Sequence, residues 1–303
     1  MTARPTDEKY MARCLQLAQC GGWHAAPNPM VGAVVVHDGR IIGEGFHRAC
    51  GGPHAEVNAI AAVRHPELLP ESTIYVSLEP CAHWGKTPPC ADLIVERRIP
   101  RVVIGCQDLF AKVDGLGIKK LRDAGCLVKV GVLEQECLAL NRHFFTFHAK
   151  HRPYITLKWA QSADGFIDRL RTVGDGQQAV RFSTPLSTQA VHHLRVQHQA
   201  ILVGGATVRL DSPRLTSRTW PGRQPVPVYV SGREAVHEGG IQITGGTPRQ
   251  WMQTLYTRGI QSVLVEGGAS ILQQFVDAGL YDEVLVETSP LRLGSGVAAP
   301  RLP

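Results

Sequence analysis

Gly51-Gly52-Pro53-His54-Ala55-Glu56, followed by Glu79-Pro80-Cys81-Ala82-His83-Trp84-Gly85-Lys86-Thr87-Pro88-Pro89-Cys90, is the stretch that decides how this chain is read. One imidazole and two thiols can hold a zinc ion through three protein ligands and leave a fourth position for water, the layout of a catalytic site. Glu56 stands two residues after the histidine, as does the carboxylate that moves protons in zinc-dependent base deamination. A closed structural zinc would need a fourth protein ligand, which His83 could supply, and Cys50 is a possible substitute ligand. Against it, eight residues separate Cys81 from Cys90, more than the short spacing of a compact zinc knuckle.

Working outward, Pro53 precedes a helical pattern over residues 54–63, so His54 and Glu56 fall in a first turn. Thr73–Leu78 reads as a strand that delivers Glu79-Pro80-Cys81 to its end, and Pro88-Pro89 introduces a helix near Cys90. Upstream, Thr6 is a cap for a helix to about Gln19, and Asp38-Gly39 joins strands 31–36 and 41–46 into a hairpin. Downstream, strands 101–105 and 127–130 flank a helix over 117–124, and one further helix runs from Glu134 to about Phe147. These elements make a mixed sheet with helices on both faces.

The length of 303 residues suggests two domains, and the polar, basic run from Phe147 to Pro153 is the boundary: 1–147 and 148–303. The second half renews the α/β alternation with a strand at Tyr154–Trp159 and helices opened by Thr184-Pro185 and Thr247-Pro248. Its strands 200–203 and 262–266 each end on paired glycines, Gly204-Gly205 and Gly267-Gly268. Such turns expose backbone N–H groups that suit a phosphate, or simply make a tight corner; neither has the G-x-G-x-x-G spacing of dinucleotide folds.

The formal charge is +6, but Lys and Arg are scattered without basic blocks or interleaved aromatics, which favours a small anionic ligand over nucleic acid. No apolar run reaches the roughly 20 residues of a membrane span, nothing near Met1 reads as a signal peptide, and the eight cysteines fit reduced thiols. A cytoplasmic protein is expected.

Pro27-Asn28-Pro29-x-Val31-Gly32, His54-Ala55-Glu56 and the Glu79–Cys90 segment together resemble the bacterial bifunctional deaminase/reductase family of riboflavin biosynthesis, RibD. The long Gly-Lys-Thr-Pro-Pro insert between the cysteines is the specific part. Leu157-Lys158-x-Ala160-x-Ser162-x-Asp164-Gly165, Thr207 to Arg218 and Val265-Glu266-Gly267-Gly268 extend the similarity over nearly the whole chain. The resemblance implies a cytidine-deaminase-like three-layer α/β/α domain followed by a shortened dihydrofolate-reductase-like α/β domain. It also implies Zn2+ and NADPH as cofactors and a homo-oligomer acting on a phosphoribosyl pyrimidine.

By the same resemblance His54, Cys81 and Cys90 hold zinc, Glu56 is the proton carrier, and Asn28, His83 and Lys86 meet the first substrate. In the second domain Arg195, Leu215, Arg218 and Glu266 face substrate. Lys158, Ala160, Arg181, Thr207, Asp211, Ser231, Gly268, Ala269 and Ser270 face NADPH. Bland readings stand beside several of these: Asn28 and Asp211 as turn residues, Lys86 and Arg195 as solvated charges. The second domain, about 150 residues, is shorter than in relatives between Val230 and Trp251 and after Gly296, and Arg181 replaces a tryptophan found in many of them. A deaminase with a degenerate reductase-like domain is therefore the second reading, and a zinc deaminase acting on nucleic acid the third.

Overall fold

The computed structural model describes residues 5–84, 88–108, 115–232 and 239–303. It divides into two compact units, Met1–Lys150 and His151–Pro303.

In the first unit the elements run α1 (Pro5–Gln19), β1 (Gly32–His37), β2 (Arg40–Phe46), α2 (Ala55–Ala61), β3 (Thr73–Leu78), α3 (Cys90–Glu96), β4 (Arg101–Cys106), α4 (Leu116–Asp123), β5 (Leu127–Val130), α5 (Glu134–Leu140) and α6 (Arg142–Lys150). The sheet order is β2-β1-β3-β4-β5. Strand β1 is antiparallel to both neighbours, whereas β3, β4 and β5 run parallel. Asp38 and Gly39, with φ of 46° and 70°, make the tight turn that their sequence demands.

Alternation along the strands divides the core into two layers. Ala33, Val35, Ile74 and Val76 face α2, α3 and α4, with Ile60, Ile94 and Leu121. Val34, Val36, Tyr75 and Val103 face α1 and α5, with Met11, Cys14 and Cys137. Helix α2 lies directly on β2: a Cβ on Gly45 would stand 2.3 Å from the Ala59 amide nitrogen. Glycine there lets the helix that starts beside His54 sit flush on the sheet.

The second unit comprises β6 (Tyr154–Gln161), β7 (Phe166–Asp168), α7 (Pro185–Gln197), β8 (Ala200–Gly204), α8 (Gly205–Asp211), β9 (Val226–Val230), β10 (Ile241–Ile243), α9 (Pro248–Thr257), β11 (Ser262–Val265), α10 (Ala269–Asp277), β12 (Glu283–Thr288) and β13 (Val297–Ala298). Its six-stranded sheet has the order β10-β9-β8-β11-β6-β12, with every pairing parallel. Strands β7 and β13 form a separate antiparallel pair. The central strands β8 and β11 are buried at every position, as continuous apolar runs in a two-sided parallel sheet should be.

The structure corrects several expectations. The helix expected over 134–147 breaks at Asn141, whose buried amide donates to the Met30 carbonyl and accepts from the Met30 N–H. That two-bond clamp on a distant backbone outweighs helix continuity. Helix α6 then runs on to Lys150, three residues past the expected boundary. Helix α1 starts at Pro5, so Thr6 lies inside it. The Gly204-Gly205 turn does stand between a strand and a helix, the seven-residue α8. Part of the region between Val230 and Trp251, residues 233–238, lies outside the described residues.

Candidate active sites

Three ligand-type side chains converge in the first unit. His54 Nδ1 lies 3.6 Å from Cys81 Sγ and 3.3 Å from Cys90 Sγ, and all three atoms fall within 4.8 Å of one another. Among the described residues this is the one group of three or more His, Cys, Asp or Glu side chains so gathered. His54 caps α2, Cys81 follows β3, and Cys90 opens α3 and is fully buried. The Cys90 N–H donates to Cys81 Sγ at 3.3 Å. Hydrogen bonding from the Cys90 thiol, helped by His54 and the Cys90 N–H, brings the Cys81 thiol down to about 4. A thiolate and an imidazole at this separation are a donor set suited to zinc, so the residues present fit the ion.

Glu56, in the first turn of α2, is 3% exposed and faces Cys90. Burial, then the negative charge of Cys81, pushes its carboxyl up to about 7. His83 and Trp84 are exposed, and Lys86 lies outside the described residues. Asn28 is half-buried and its Nδ2 sits 3.1 Å from His47 Nε2. His47, which the sequence reading passed over, is 3% exposed, packs edge-on against the His54 ring and bonds the Pro53 carbonyl at 3.1 Å through Nδ1. Because a carbonyl only accepts, Nδ1 carries the proton and Nε2 accepts from Asn28. Asn58 Nδ2 donates to the Phe46 and Pro53 carbonyls, so the histidine, the asparagine turn and the start of α2 form one hydrogen-bonded frame. No spacing signal marks His47 or Asn58; the contacts exist only after the hairpin packs on α2.

Glu79 fixes the strand end that carries Cys81. Its buried carboxylate accepts from the N–H groups of Asp108, Gly115, Gly117 and Ile118 at 2.9–3.2 Å. At Gly117 a Cβ would stand 1.9 Å from the Pro80 carbonyl oxygen, so only glycine lets α4 approach the Glu79-Pro80-Cys81 backbone this closely.

In the second unit Thr207, Ser231, Glu266 and Gly268 follow the C-terminal ends of the parallel strands β8, β9 and β11, where ligands of open α/β sheets bind. Arg195 of α7 donates to both oxygens of Glu266, at 3.1 and 2.6 Å, and to the Thr216 carbonyl at 2.8 Å. The pair is largely buried, which removes the reading of Arg195 as a solvated charge. Leu215 is 3% exposed with φ of 52°, a left-handed conformation uncommon for leucine. Arg218 is exposed and follows a loop held by His192, a buried residue whose Nδ1 accepts the Thr219 N–H at 3.2 Å. The Gly268 N–H donates to Thr207 Oγ1 at 3.1 Å, joining the two glycine turns. Ala269 opens α10, and Ser270 is exposed beside it. Asp211 ends α8 and pairs with Arg171 at 2.7 Å; a turn residue was the bland reading. Lys158 and Ala160 lie on β6, Lys158 near the Glu287 charge on β12. Arg181 is exposed in the segment between β7 and α7, and among the described residues no hydrogen bond or ion pair joins it to the others of this group.

No helix of the described residues is long and apolar enough to cross a membrane. A family model of the cytidine and deoxycytidylate deaminase zinc-binding region matches residues 4–106, and one of the RibD C-terminal domain matches residues 153–303. The riboflavin biosynthesis protein RibD of Aquifex aeolicus is 36% identical, the alignment covering 97% of this chain and 90% of that protein. RibD of Escherichia coli is 35% identical over 95% of this chain and 89% of its own length. Among solved structures, the deaminase/reductase of Thermotoga maritima superposes with a TM-score of 0.85 at 38% identity, covering 97% of this chain and 89% of that one. With both family models matched in order and full-length relatives well above 30% identity, the chain belongs to the RibD family of riboflavin biosynthesis, bifunctional deaminases and reductases.

Proposed function

We propose that the first unit deaminates a 2,5-diamino-6-ribosylamino-pyrimidinone 5′-phosphate and that the second reduces the ribosyl group of the product to a ribityl chain. The reading rests on one observation above all: His54, Cys81 and Cys90 converge beside a carboxylate withdrawn from solvent. His54, Cys81 and Cys90 would hold Zn2+, which supplies Lewis-acid activation of a water molecule. Glu56, its proton affinity raised into the neutral range, takes a proton from the attacking water and returns it to the amine that leaves as ammonia. Asn28, clamped through its NH2 by His47, presents its Oδ1 as an acceptor for an N–H or O–H of the substrate. His83 and Lys86 would meet the ribose phosphate.

In the second unit Thr207, Asp211, Ser231 and the Gly268-Ala269-Ser270 turn would hold NADPH, with Lys158, Ala160 and Arg181 toward its reactive end. NADPH supplies the hydride. The linked glycine turns suit it, since the Thr207–Gly268 bond brings backbone N–H groups of two strand ends to one place. Arg195, oriented by Glu266, and Arg218 face substrate together with Leu215. We also propose that the enzyme works in the cytoplasm as a homo-oligomer on small molecules rather than nucleic acid.

The test is to incubate zinc-loaded protein with the diaminopyrimidine ribosyl phosphate, follow ammonia, then add NADPH and follow the nicotinamide absorbance. Ammonia followed by NADPH consumption is expected. Ammonia alone would overturn the reductase half, and its absence the deaminase half.

A further inference from the structure

Helix α7 meets the segment 212–220 through three side chains. Arg195 donates to the Thr216 carbonyl at 2.8 Å. His192 Nδ1 accepts the Thr219 N–H at 3.2 Å, and the Thr219 hydroxyl closes on the same atom. The rings of His193 and Trp220 lie with centroids 4.3 Å apart. His192 and Arg195 are one helical turn apart, so both hydrogen-bonded anchors come from one face of α7. Between the anchored residues, Thr216 and Thr219, the chain holds only Ser217 and Arg218. The Ser217 N–H donates to Gln224 Oε1 at 2.9 Å and its carbonyl accepts the Trp220 N–H at 2.9 Å, which closes the backbone around Arg218.

The two anchors differ in what else they do. Arg195 also pairs with Glu266, so its place is set from the end of β11 as well as from the loop. His192 is 2% exposed, and every hydrogen bond it makes among the described residues goes to Thr219. Because a backbone N–H only donates, Nδ1 carries no proton and the ring's one proton is on Nε2. Burial, then the charges of Arg195 and Arg218 against that of Glu266, hold the imidazole below its ordinary value, so it stays neutral and keeps that acceptor. Arg218 itself is exposed and makes no hydrogen bond or ion pair among the described residues, so only its backbone fixes where the guanidinium starts.

On the reading that Arg218 faces the substrate of the reductase, we propose that His192 is its positioning residue: by accepting from Thr219 it holds the 216–219 bracket against α7 and aims the Arg218 guanidinium at the anionic substrate. A long exposed side chain loses rotamer freedom when it binds. A backbone fixed on both sides of Arg218 leaves less to be ordered at that moment, so the histidine acts on affinity. Arg218 touches the ligand and His192 does not.

The experiment is steady-state reduction of the deaminated ribosyl phosphate by the full chain, followed at the nicotinamide band, for the wild type, His192→Leu, His192→Asn, Arg218→Ala and the double variant His192→Leu with Arg218→Ala. His192→Leu should raise KM for the substrate about tenfold, with kcat and KM for NADPH within about twofold of wild type. Asparagine places an acceptor oxygen near the position of Nδ1, so His192→Asn should recover most of the loss. Arg218→Ala should raise KM at least as far, and adding His192→Leu to it should change little more, because the histidine acts through the arginine. If the two substitutions multiply, or KM for NADPH rises in step, His192 supports the unit as a whole and the positioning role is wrong, although Arg218 stands as a substrate contact. The same holds if His192→Leu leaves KM unchanged while Arg218→Ala raises it. A wild type without turnover, or an Arg218→Ala variant with unchanged KM, would show instead that the substrate reading of the site fails, and the role of His192 falls with it.

Discussion

The two sites of this chain are built on opposite plans. In the first unit the candidate metal donors are three atoms within 4.8 Å of one another, supplied by the residue before a helix, a strand end and a helix start. In the second, the candidate residues are spread along the ends of a six-stranded parallel sheet and are tied in pairs: Arg195 to Glu266, Thr207 to Gly268, Asp211 to Arg171. A metal site demands a fixed donor set at fixed separations, so its residues recur in short motifs. A cleft for a long cofactor needs only the correct strand ends, and its residues are scattered through sequence.

The sharpest way to break this contrast is to remove the proton carrier. Glu56→Gln keeps the side-chain shape and the three metal ligands, and should cut ammonia release by a factor of ~10² to 10⁴ while zinc content and NADPH oxidation with deaminated substrate stay near wild type. Loss of both activities would show that the two sites are not separable.

The second unit should fail differently. Arg195→Ala leaves Glu266 buried without its partner, which should cost about 3 kcal/mol in denaturant unfolding of that unit as well as its reductase activity. A variant with unchanged stability and lost turnover would show that the pair serves only the substrate.

Gly117→Ala probes how far the metal centre depends on a distant support. The new methyl would meet the Pro80 carbonyl at 1.9 Å, so a loss of ~2 kcal/mol in stability is expected, together with weaker zinc retention against a chelator. Unchanged retention would mean that Cys81 holds its position without α4.

The smallest effect concerns Asp7, buried beneath Arg101, Lys129 and Tyr75. Burial alone would raise its carboxyl, but the bonds from Lys129, Arg101 and Tyr75 win and hold it below the ordinary value. A depressed carboxylate contributes stability that is fully present above the unfolded value of about 3.9 and is lost as pH falls through the lowered one. Asp7→Asn should therefore lower stability by about 2 kcal/mol at pH 7, with the two curves converging in acid. A difference independent of pH would assign the effect to packing.

The hairpin at Asp38-Gly39, strand Thr73–Leu78, the helix from Cys90 and the capped helix at Thr184-Pro185 were all legible from local pattern, because turn chemistry and capping act within a few residues. That His54, Cys81 and Cys90 could meet beside Glu56 was legible for the same reason. The break at Asn141 was not, since its partner is Met30, more than a hundred residues away. Glu79 and His192 likewise gained their roles only when distant backbone reached them, whereas His47 and Asn58 bond the nearby Pro53 and Phe46 carbonyls once the chain turns from β2 into α2.

What the sequence determined by itself is the donor chemistry: which side chains can bind a metal, carry a proton or cap a helix, properties that belong to residue types at short spacings. Only the tertiary structure decided which charges are spent and which remain open. Arg195 is consumed by Glu266 and Arg171 by two aspartates, while Arg209, among the described residues, has neither a hydrogen bond nor an ion pair. Ion pairing depends on the approach of strand ends and helices remote in sequence, and that approach is set by sheet order and by where a glycine lets backbones close together.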